Sequence, residues 1–377
     1  MSIYVLGYYI PRCKKSVARR TDEFEGSNGS ILELWDMQYP EWPPTENQPA
    51  LSYSNIQVYE RCRRKWFLQY LRNYIPKDIM FDIAIQRQLL PVTMLGGAIV
   101  DAVVKMAMRR YMRHREWRPD LQSDARKALD HFVEHSKLFT MAIDNRERWP
   151  VKKHTWIRPL DMIYYDGEMS TAQEASTMAV VDTCLTNFID FMKSEDMHEC
   201  DPEGWRIPES GDKPNPWFWS GEIPVYAGYD FAVVDGRSLR IIDWKAGKSE
   251  RSEYSARDQL VWYATFAHHE WQFDFSEMIL QAVWLQEDNK ITRENATTDR
   301  SESMRQKWEV LYAEQAQAIA AVRSSPTNFE ALFPMTEDVM ACYSCPFKSC
   351  AGRVRLQNMY PEVKAAEKLP FGDDDIP

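Results

Sequence analysis

The spacing of apolar residues divides the chain into a helical first half and a second half in which strands alternate with helices. Over about 55–74 and over most of 85–200, apolar residues recur at the spacing that predicts α-helices. The serines of segment 52–54 are typical helix caps, because a serine oxygen accepts a free N–H group at a helix start. After the Trp/Pro-rich loop predicted over 211–221, the apolar period becomes that of β-strands.

The second half has the order strand, strand, strand, helix, strand. The predicted elements are consecutive strands over 222–235 and 238–247 with a turn at Asp235-Gly236, a helix over 255–269 capped by Ser255, a strand over 276–288 and a long amphipathic helix over 301–325. This order predicts an α/β fold, with a mixed central sheet flanked by helices after a helical N-terminal half.

Length and composition are those of a folded protein with one large domain or two. The chain has 377 residues, of which 44% are hydrophobic, and no run approaches the roughly 18–20 apolar residues of a membrane span. The first residues lack a basic region and a small-residue cleavage site, so we expect no signal peptide and no membrane association. Seven cysteines, an odd number, favour a reducing cytoplasm over a disulfide framework.

The net charge of −10 argues against a protein that coats nucleic acid by its overall charge, but a local basic path would suffice for an enzyme. Two groups of cations offer such a path, and solvated helix faces explain them equally well. The groups are Arg61, Arg63, Arg64, Lys65 and Arg72, and then Lys105, Arg109, Arg110, Arg113 and Arg115.

Asp230, Asp243 and Lys245 form the strongest chemical candidate. Asp243 and Lys245 are two positions apart in a strand, so their side chains lie on one face. Two carboxylates on neighbouring strands suit Mg²⁺ or Mn²⁺, and a lysine beside them would neutralise charge in phosphodiester cleavage. A surface strand with a salt bridge is the alternative, although the apolar run before Asp243 indicates a buried strand.

Four cysteines have the spacing of a metal site. Cys342, Cys345 and Cys350 lie within ten residues, and Cys62 is the candidate fourth ligand far upstream. Four thiolates suit tetrahedral zinc or an iron–sulfur cluster, and spacing alone does not separate the two. The remaining cysteines, Cys13, Cys184 and Cys200, lack partner spacing and are expected to be ordinary thiols.

The segment 228–248, GYDFAVVDGRSLRIIDWKAGK, resembles the PD-(D/E)XK nucleases, specifically the RecB-type exonuclease family. Asp230, Asp243, Lys245 and Gly247 match that family's pattern in order. The family follows it with a helix carrying Gln-x-x-x-Tyr, which the residues of 259–263 match. The resemblance implies a restriction-endonuclease-like core in which Gln259 and Tyr263 hold the substrate strand near the metals. Without it, these two would be one face of an ordinary amphipathic helix.

The chain departs from the family at one position. The family carries Gly-x-x-x-His on an upstream helix, whereas here Gly97 is followed four residues later by Asp101. The resemblance implies that Asp101 is a metal ligand together with Asp230 and Asp243. An aspartate there would preserve activity, alter the metal preference or mark a degraded site.

The cysteines resemble those of the family's iron–sulfur branch, which includes AddB-like helicase–nuclease subunits and CRISPR spacer-acquisition nucleases. The resemblance implies that Cys62, Cys342, Cys345 and Cys350 hold a structural 4Fe-4S cluster, with zinc as the alternative. It covers about residues 51–352. The domains expected are an irregular leader over 1–50, a helical region over 51–200, a nuclease core over 201–335, a cysteine segment over 336–358 and an acidic tail over 359–377.

The function predicted from this resemblance is metal-dependent DNA exonuclease activity on single-stranded or resected ends. The setting would be recombination and repair, phage DNA metabolism or CRISPR adaptation. The sequence has no phosphate-loop motif, so a helicase, recombinase or CRISPR integrase partner would supply any unwinding or integration. The alternatives are a non-catalytic DNA-binding or assembly subunit that keeps the nuclease fold, and a zinc-clasped endonuclease.

Overall fold

The computed structural model describes residues 50–352, except 72–73, 76, 118–119, 145–156, 196, 198–199, 209–215, 326–327, 343–344 and 349. The predicted leader up to residue 49, the acidic tail, Cys13 and Arg72 lie outside these residues. Among the described residues no helix has the length and apolar character needed to cross a membrane.

The described chain contains ten α-helices and eight strands. The helices are α1 Tyr53–Arg61, α2 Arg63–Tyr70, α3 Lys77–Gln86, α4 Leu95–His114, α5 Leu121–Asp144, α6 Asp161–Asp166, α7 Thr171–Ser194, α8 Glu253–Trp271, α9 Thr298–Ser324 and α10 Phe329–Leu332. The strands are β1 Leu51–Ser52, β2 Trp205–Arg206, β3 Trp217–Ser220, β4 Ile223–Tyr226, β5 Phe231–Asp235, β6 Ser238–Lys245, β7 Met278–Trp284 and β8 Lys290–Glu294.

A five-stranded mixed sheet in the order β2-β5-β6-β7-β8 forms the centre. Strand β6 pairs antiparallel with β5 and parallel with β7, and α8 makes the crossover that a parallel pair requires. A smaller mixed sheet has the order β1-β4-β3. Helices precede and flank the sheets, so the predicted α/β class with a mixed central sheet is confirmed.

The central sheet is buried on both faces. Ile242 packs into a core built largely from α4, α5 and α7. Its neighbour Ile241 packs into a second core with side chains of α1, α2, α8 and α9. Because successive strand residues point to opposite faces, a continuous apolar run in β6 supplies both cores. The sheet thus holds the end of β6 between two helical layers.

Three predictions about the elements need correction. The helix expected over 55–74 is interrupted at Cys62, whose extended backbone ends α1 and whose thiol accepts the N–H of Lys65 to begin α2. The predicted cap Ser255 lies inside α8, where its hydroxyl accepts from the amide of Gln57. The hairpin turn is one residue later than predicted, at Gly236-Arg237.

Other boundaries shifted or were missed. Ser52 caps α1 as predicted, its hydroxyl accepting the N–H of Asn55 at 3.1 Å. Helix α9 begins three residues before the predicted start, because Thr297 caps it. Strand β3 lies in the segment predicted to be a Trp/Pro-rich loop, and pairing with β4 keeps it extended. Strands β1, β2 and β8 were not predicted, since they are short or at a sheet edge.

Candidate active site

The hairpin of β5 and β6 brings Asp230 and Asp243 to neighbouring positions. Phe231 pairs with Ile242 in the antiparallel register, so the residues just beyond them face each other. The Asp230 carboxylate also accepts the backbone N–H of Trp244 at 2.8 Å. This bond fixes the Asp230 side chain against the end of β6.

Lys245 forms an ion pair with Asp243, as expected for two side chains on one face of a strand. The distance from Lys245 Nζ to Asp243 Oδ2 is 2.6 Å, and Asp243 is buried. Lys245 Nζ also donates to Gln259 Oε1 at 2.7 Å. Burial lowers the pKa of Lys245, but the attraction of Asp243 outweighs it, so the pKa lies above its usual value. The lysine is therefore a cation held at the site.

Gln259 and Tyr263 are one turn apart on α8 and extend this hydrogen-bonded chain. Gln259 Nε2 donates to the Tyr263 hydroxyl, which donates to Gly228 O at 2.9 Å and lies 3.4 Å from Asp243 Oδ1. Burial, followed by the nearby Asp243 and Asp230, raises the pKa of Tyr263 well above its usual value. The phenol therefore remains a hydrogen-bond donor.

Asp230 lies beside two further carboxylates. Its removal from solvent, followed by the charges of Asp243 and Asp101, raises its pKa to about 8, although Lys105 and Lys245 oppose this. Three carboxylates close enough to repel one another are typical of a cation site, because a cation relieves the repulsion.

Asp101 approaches this cluster from α4. A Cβ added at Gly97, one turn earlier, would lie 3.9 Å from the Cβ of Ala246, so α4 passes directly beside the segment that follows β6. The Asp101 carboxylate pairs with Lys105 Nζ at 3.0 Å, and about half of its side chain is exposed. Asp101 is thus near the other carboxylates while bound to a lysine.

The donor set fits a hard divalent cation by its chemistry, although the carboxylates are not gathered around one point. Within the described parts of 50–352, no group of three or more His, Cys, Asp or Glu side chains has metal-holding geometry. Asp243 Oδ2 is buried and lacks a hydrogen bond of good geometry, despite its ion pair. An oxygen of this kind is a natural ligand for Mg²⁺ or Mn²⁺.

All four predicted cluster cysteines line one cavity. The other lining residues are Lys65, Leu68, Met335, Ala341 and Phe347. None of the four is part of a disulfide. A Cβ added at Gly352 would lie 3.0 Å from Cys342 Sγ and 3.9 Å from Cys350 Sγ, which shows how closely the chain encloses them.

The thiols of this cavity resist losing their protons when no metal is present. Burial raises the pKa of Cys345 to about 11; Lys65 opposes this, while Cys350 and Cys62 add to it. Burial likewise raises the pKa of Cys350, against the opposing effects of the Gly352 backbone and Arg64. A bound cation would have to displace these protons, which makes loading depend on pH.

The four thiols do not form a ready-made zinc site within the described residues. Zn–S bonds of about 2.3 Å in a tetrahedron set the sulfurs about 3.8 Å apart. No three cysteine, histidine, aspartate or glutamate side chains of the described chain meet such a requirement. The geometry therefore favours neither a zinc ion nor an iron–sulfur cluster.

The first basic group serves mainly to hold the C-terminal segment. Arg64 is buried, and it donates to Phe333 O at 2.7 Å and to Glu330 O at 2.8 Å. Arg63 pairs with Glu314 at 3.1 Å. Both have partners within the protein, and a DNA path that includes this group stays a prediction.

The second basic group is also partly engaged in internal contacts. Arg109 donates to Pro208 O, and Arg115 lies 3.6 Å from Asp201. Lys105, which was grouped with DNA-facing cations, contacts the candidate metal ligand Asp101 instead. Its position four residues after Asp101 on a helix is a signal from which the pair could have been predicted.

The cysteines outside the cluster behave as expected where the structure describes them. Cys184 is buried in the helical core, and burial raises its pKa to about 11. Cys200 is half-buried and is not part of a disulfide. Neither lines the cavity of the other four.

Comparison with protein families gave one match. A family model described as the PD-(D/E)XK nuclease superfamily matches residues 50–350. Comparisons with curated proteins and with solved structures gave no match. The matched region contains the central sheet, the carboxylates, Lys245 and all four cavity cysteines.

Proposed function

The chain belongs to the PD-(D/E)XK nuclease superfamily, and we propose that it is a Mg²⁺- or Mn²⁺-dependent DNA exonuclease. The observation that carries this proposal is the arrangement of Asp230, Asp243 and Lys245 at the end of β6, where Lys245 is held 2.6 Å from a buried carboxylate. A nuclease requires a cation site and a fixed positive charge at one place, and these residues provide both.

Asp230 and Asp243 would hold the cation, with Asp101 as a third ligand from α4. When bound, the cation supplies Lewis-acid chemistry to the scissile phosphate. Lys245 would stabilise the negative charge that develops on that phosphate, because its ammonium group is already fixed by Gln259. Tyr263 holds Gln259 in turn, so these two residues keep the lysine aimed at the site.

The substrate we propose is single-stranded DNA or a resected DNA end. The matching Gln-x-x-x-Tyr segment on α8 supports this assignment, since the resemblance implies a role near the substrate strand. The pathway, whether recombination and repair, phage DNA metabolism or CRISPR adaptation, rests on the resemblance alone. The proposal of a helicase, recombinase or CRISPR integrase partner also rests on the resemblance alone.

We further infer that Cys62, Cys342, Cys345 and Cys350 hold a 4Fe-4S cluster. Their common cavity supports a shared metal site, and the choice of a cluster over zinc rests on the resemblance to the iron–sulfur branch. The cluster would link the junction of α1 and α2 to a segment 280 residues later (342 − 62). Its role would be to close the nuclease domain, since a link between distant segments restricts the unfolded chain.

A cleavage assay tests the proposed activity. The full chain is incubated with Mn²⁺ and either linear single-stranded DNA or a closed circle of the same sequence. We expect loss of the linear DNA alone, and no loss with Asp243→Asn. Equal cleavage of the circle would make the enzyme an endonuclease. DNA binding without any cleavage, in Mg²⁺ and in Mn²⁺, would support a non-catalytic subunit.

Metal analysis of anaerobically purified protein tests the cluster separately. We expect iron and sulfide in equal amounts with visible absorbance, and the loss of both in Cys62→Ser. The matched control is Cys200→Ser, because Cys200 is a half-buried cysteine that does not line the cavity. A colourless protein with one zinc per chain would contradict the iron–sulfur assignment.

A further inference from the structure

Lys105 occupies an unusual place for a lysine. Only 15% of its side chain is exposed, whereas 47% of its partner Asp101 is exposed. Lysines are rarely enclosed unless a counter-charge holds them. Lys105 is also one of the cations that lower the pKa of Asp230, so its charge acts within the carboxylate cluster. It therefore belongs electrostatically to the site although no catalytic role requires it.

The charges of the cluster are distributed unevenly. Lys245 lies 2.6 Å from Asp243 and Lys105 lies 3.0 Å from Asp101, so two of the three carboxylates have an ammonium partner. The Asp230 carboxylate accepts the backbone N–H of Trp244. With all five groups ionised, the cluster carries −3 + 2 = −1. A divalent cation that uses Asp101 must therefore compete with a charge already in place.

We propose that Lys105 is a positioning residue, an internal counter-ion that holds Asp101 away from the cation site and thereby weakens divalent-cation binding. This inference rests on the proposed function, because it treats Asp101 as a ligand. The ion pair is local, since the residues are four apart on α4, and a lysine's flexible stem lets its ammonium group move when a cation takes the oxygen.

The binding of Mn²⁺ by the full-length chain without DNA tests this inference. The resonance signal of free Mn²⁺ gives the dissociation constant with no need for activity. We expect Lys105→Met to tighten binding at least about tenfold, because an opposing unit charge beside the site is removed. Asp101→Asn should weaken binding. In an Asp101→Asn background, adding Lys105→Met should change the affinity less than about threefold, since the counter-ion would have no partner left.

The control removes an equal charge elsewhere. Lys127 on α5 is exposed and lies 3.9 Å from Asp124, so Lys127→Met should leave the Mn²⁺ affinity unchanged. Unchanged or weaker binding in Lys105→Met would overturn the inference. So would an equal gain with and without Asp101, which would show a general charge effect. Lys105→Gln replaces Lys105→Met if the latter does not fold, and failure of both to fold would make Lys105 structural.

The outcome separates this inference from the proposed function. Tighter Mn²⁺ binding in Lys105→Met without DNA cleavage by any variant would support the counter-ion and contradict the exonuclease. Cleavage by the wild type with unchanged Mn²⁺ affinity in Lys105→Met would support the exonuclease and contradict the counter-ion role of Lys105.

Discussion

Removing the charge of Asp230 should stabilise the metal-free protein, and it should do so more as the pH rises. The pKa of Asp230 is raised from 3.8 to about 8 by removal from solvent and then by Asp243 and Asp101. Below about pH 4 the carboxyl is protonated in both the folded and the unfolded chain, so it does not change the free energy of unfolding. Between about pH 4 and 8 only the unfolded chain loses the proton, so Asp230 lowers the free energy of unfolding more as the pH rises. Above about pH 8 both states are ionised and this destabilisation is constant.

The size of the effect follows from that interval. The difference between 3.8 and 8, at about 1.36 kcal/mol per pH unit, sets a ceiling of about 6 kcal/mol. Water that enters the site and relaxation of the side chains reduce this ceiling, so we expect Asp230→Asn to raise the free energy of unfolding by about 2–3 kcal/mol at pH 8. A melting temperature higher by about 5 °C corresponds to this in a chain of this length. Asparagine keeps an oxygen for the N–H of Trp244.

Thermal unfolding with a chelator, from pH 5 to pH 8.5, measures this difference. Asp190→Asn is the control, because Asp190 is an exposed aspartate on α7 and should show no trend. Added Mn²⁺ should stabilise the wild type and leave Asp230→Asn nearly unchanged, which would reverse their order. A difference that is constant with pH, or a less stable variant at pH 8, would refute the idea that the carboxylates repel one another.

Three further predictions concern the supporting residues. Gln259→Leu should slow cleavage about 10–100-fold by freeing Lys245, whereas Gln57→Leu, which loses contacts to Ser255 and Tyr53 but none to Lys245, should not. Equal rates in the two variants would contradict this. Gly352→Ala should lower the iron content, since its Cβ would lie 3.0 Å from Cys342 Sγ. Gly96→Ala should retain the iron, because its Cβ would lie 3.8 Å from its nearest neighbour. Full iron content in both variants would contradict the close packing of the cavity. Arg64→Met should lower the free energy of unfolding by about 3 kcal/mol, because it leaves the carbonyls of Phe333 and Glu330 without this donor. Arg63→Met should lower it by under about 1 kcal/mol, because its ion pair is exposed. A denaturant titration that shows no difference between the two variants would contradict the role of Arg64 in holding the C-terminal segment.

The catalytic strand was the part most open to prediction from sequence. A continuous apolar run ending in Asp243 and Lys245 specifies a strand buried on both faces, and its period fixes which side chains share a face. The salt bridge between these residues and the contact between Gln259 and Tyr263 follow from spacing within one element. Local geometry therefore accounts for what the sequence predicted well.

The features that were missed depend on distant parts of the chain. The break at Cys62 places its thiol in a cavity with residues near 345, and apolar periodicity carries no signal for that. The sequence around Arg64 is typical of an exposed basic helix face, and it carries no signal for the hydrogen bond that Arg64 donates to the carbonyl of Phe333. Ser255 is a residue type that often caps helices, but α8 begins two residues before it, at Glu253. These outcomes were set by tertiary contacts.

The most direct test of the account is the rate of Mn²⁺-dependent cleavage of linear single-stranded DNA by Lys245→Met. The rate is compared with that of the wild type and of Lys248→Met, which removes an exposed lysine three residues later. The account predicts a loss of about a thousandfold for Lys245→Met alone, in protein shown to be folded by its melting temperature. Cleavage by Lys245→Met at a rate close to that of the wild type would contradict the assignment of the end of β6 as the active site.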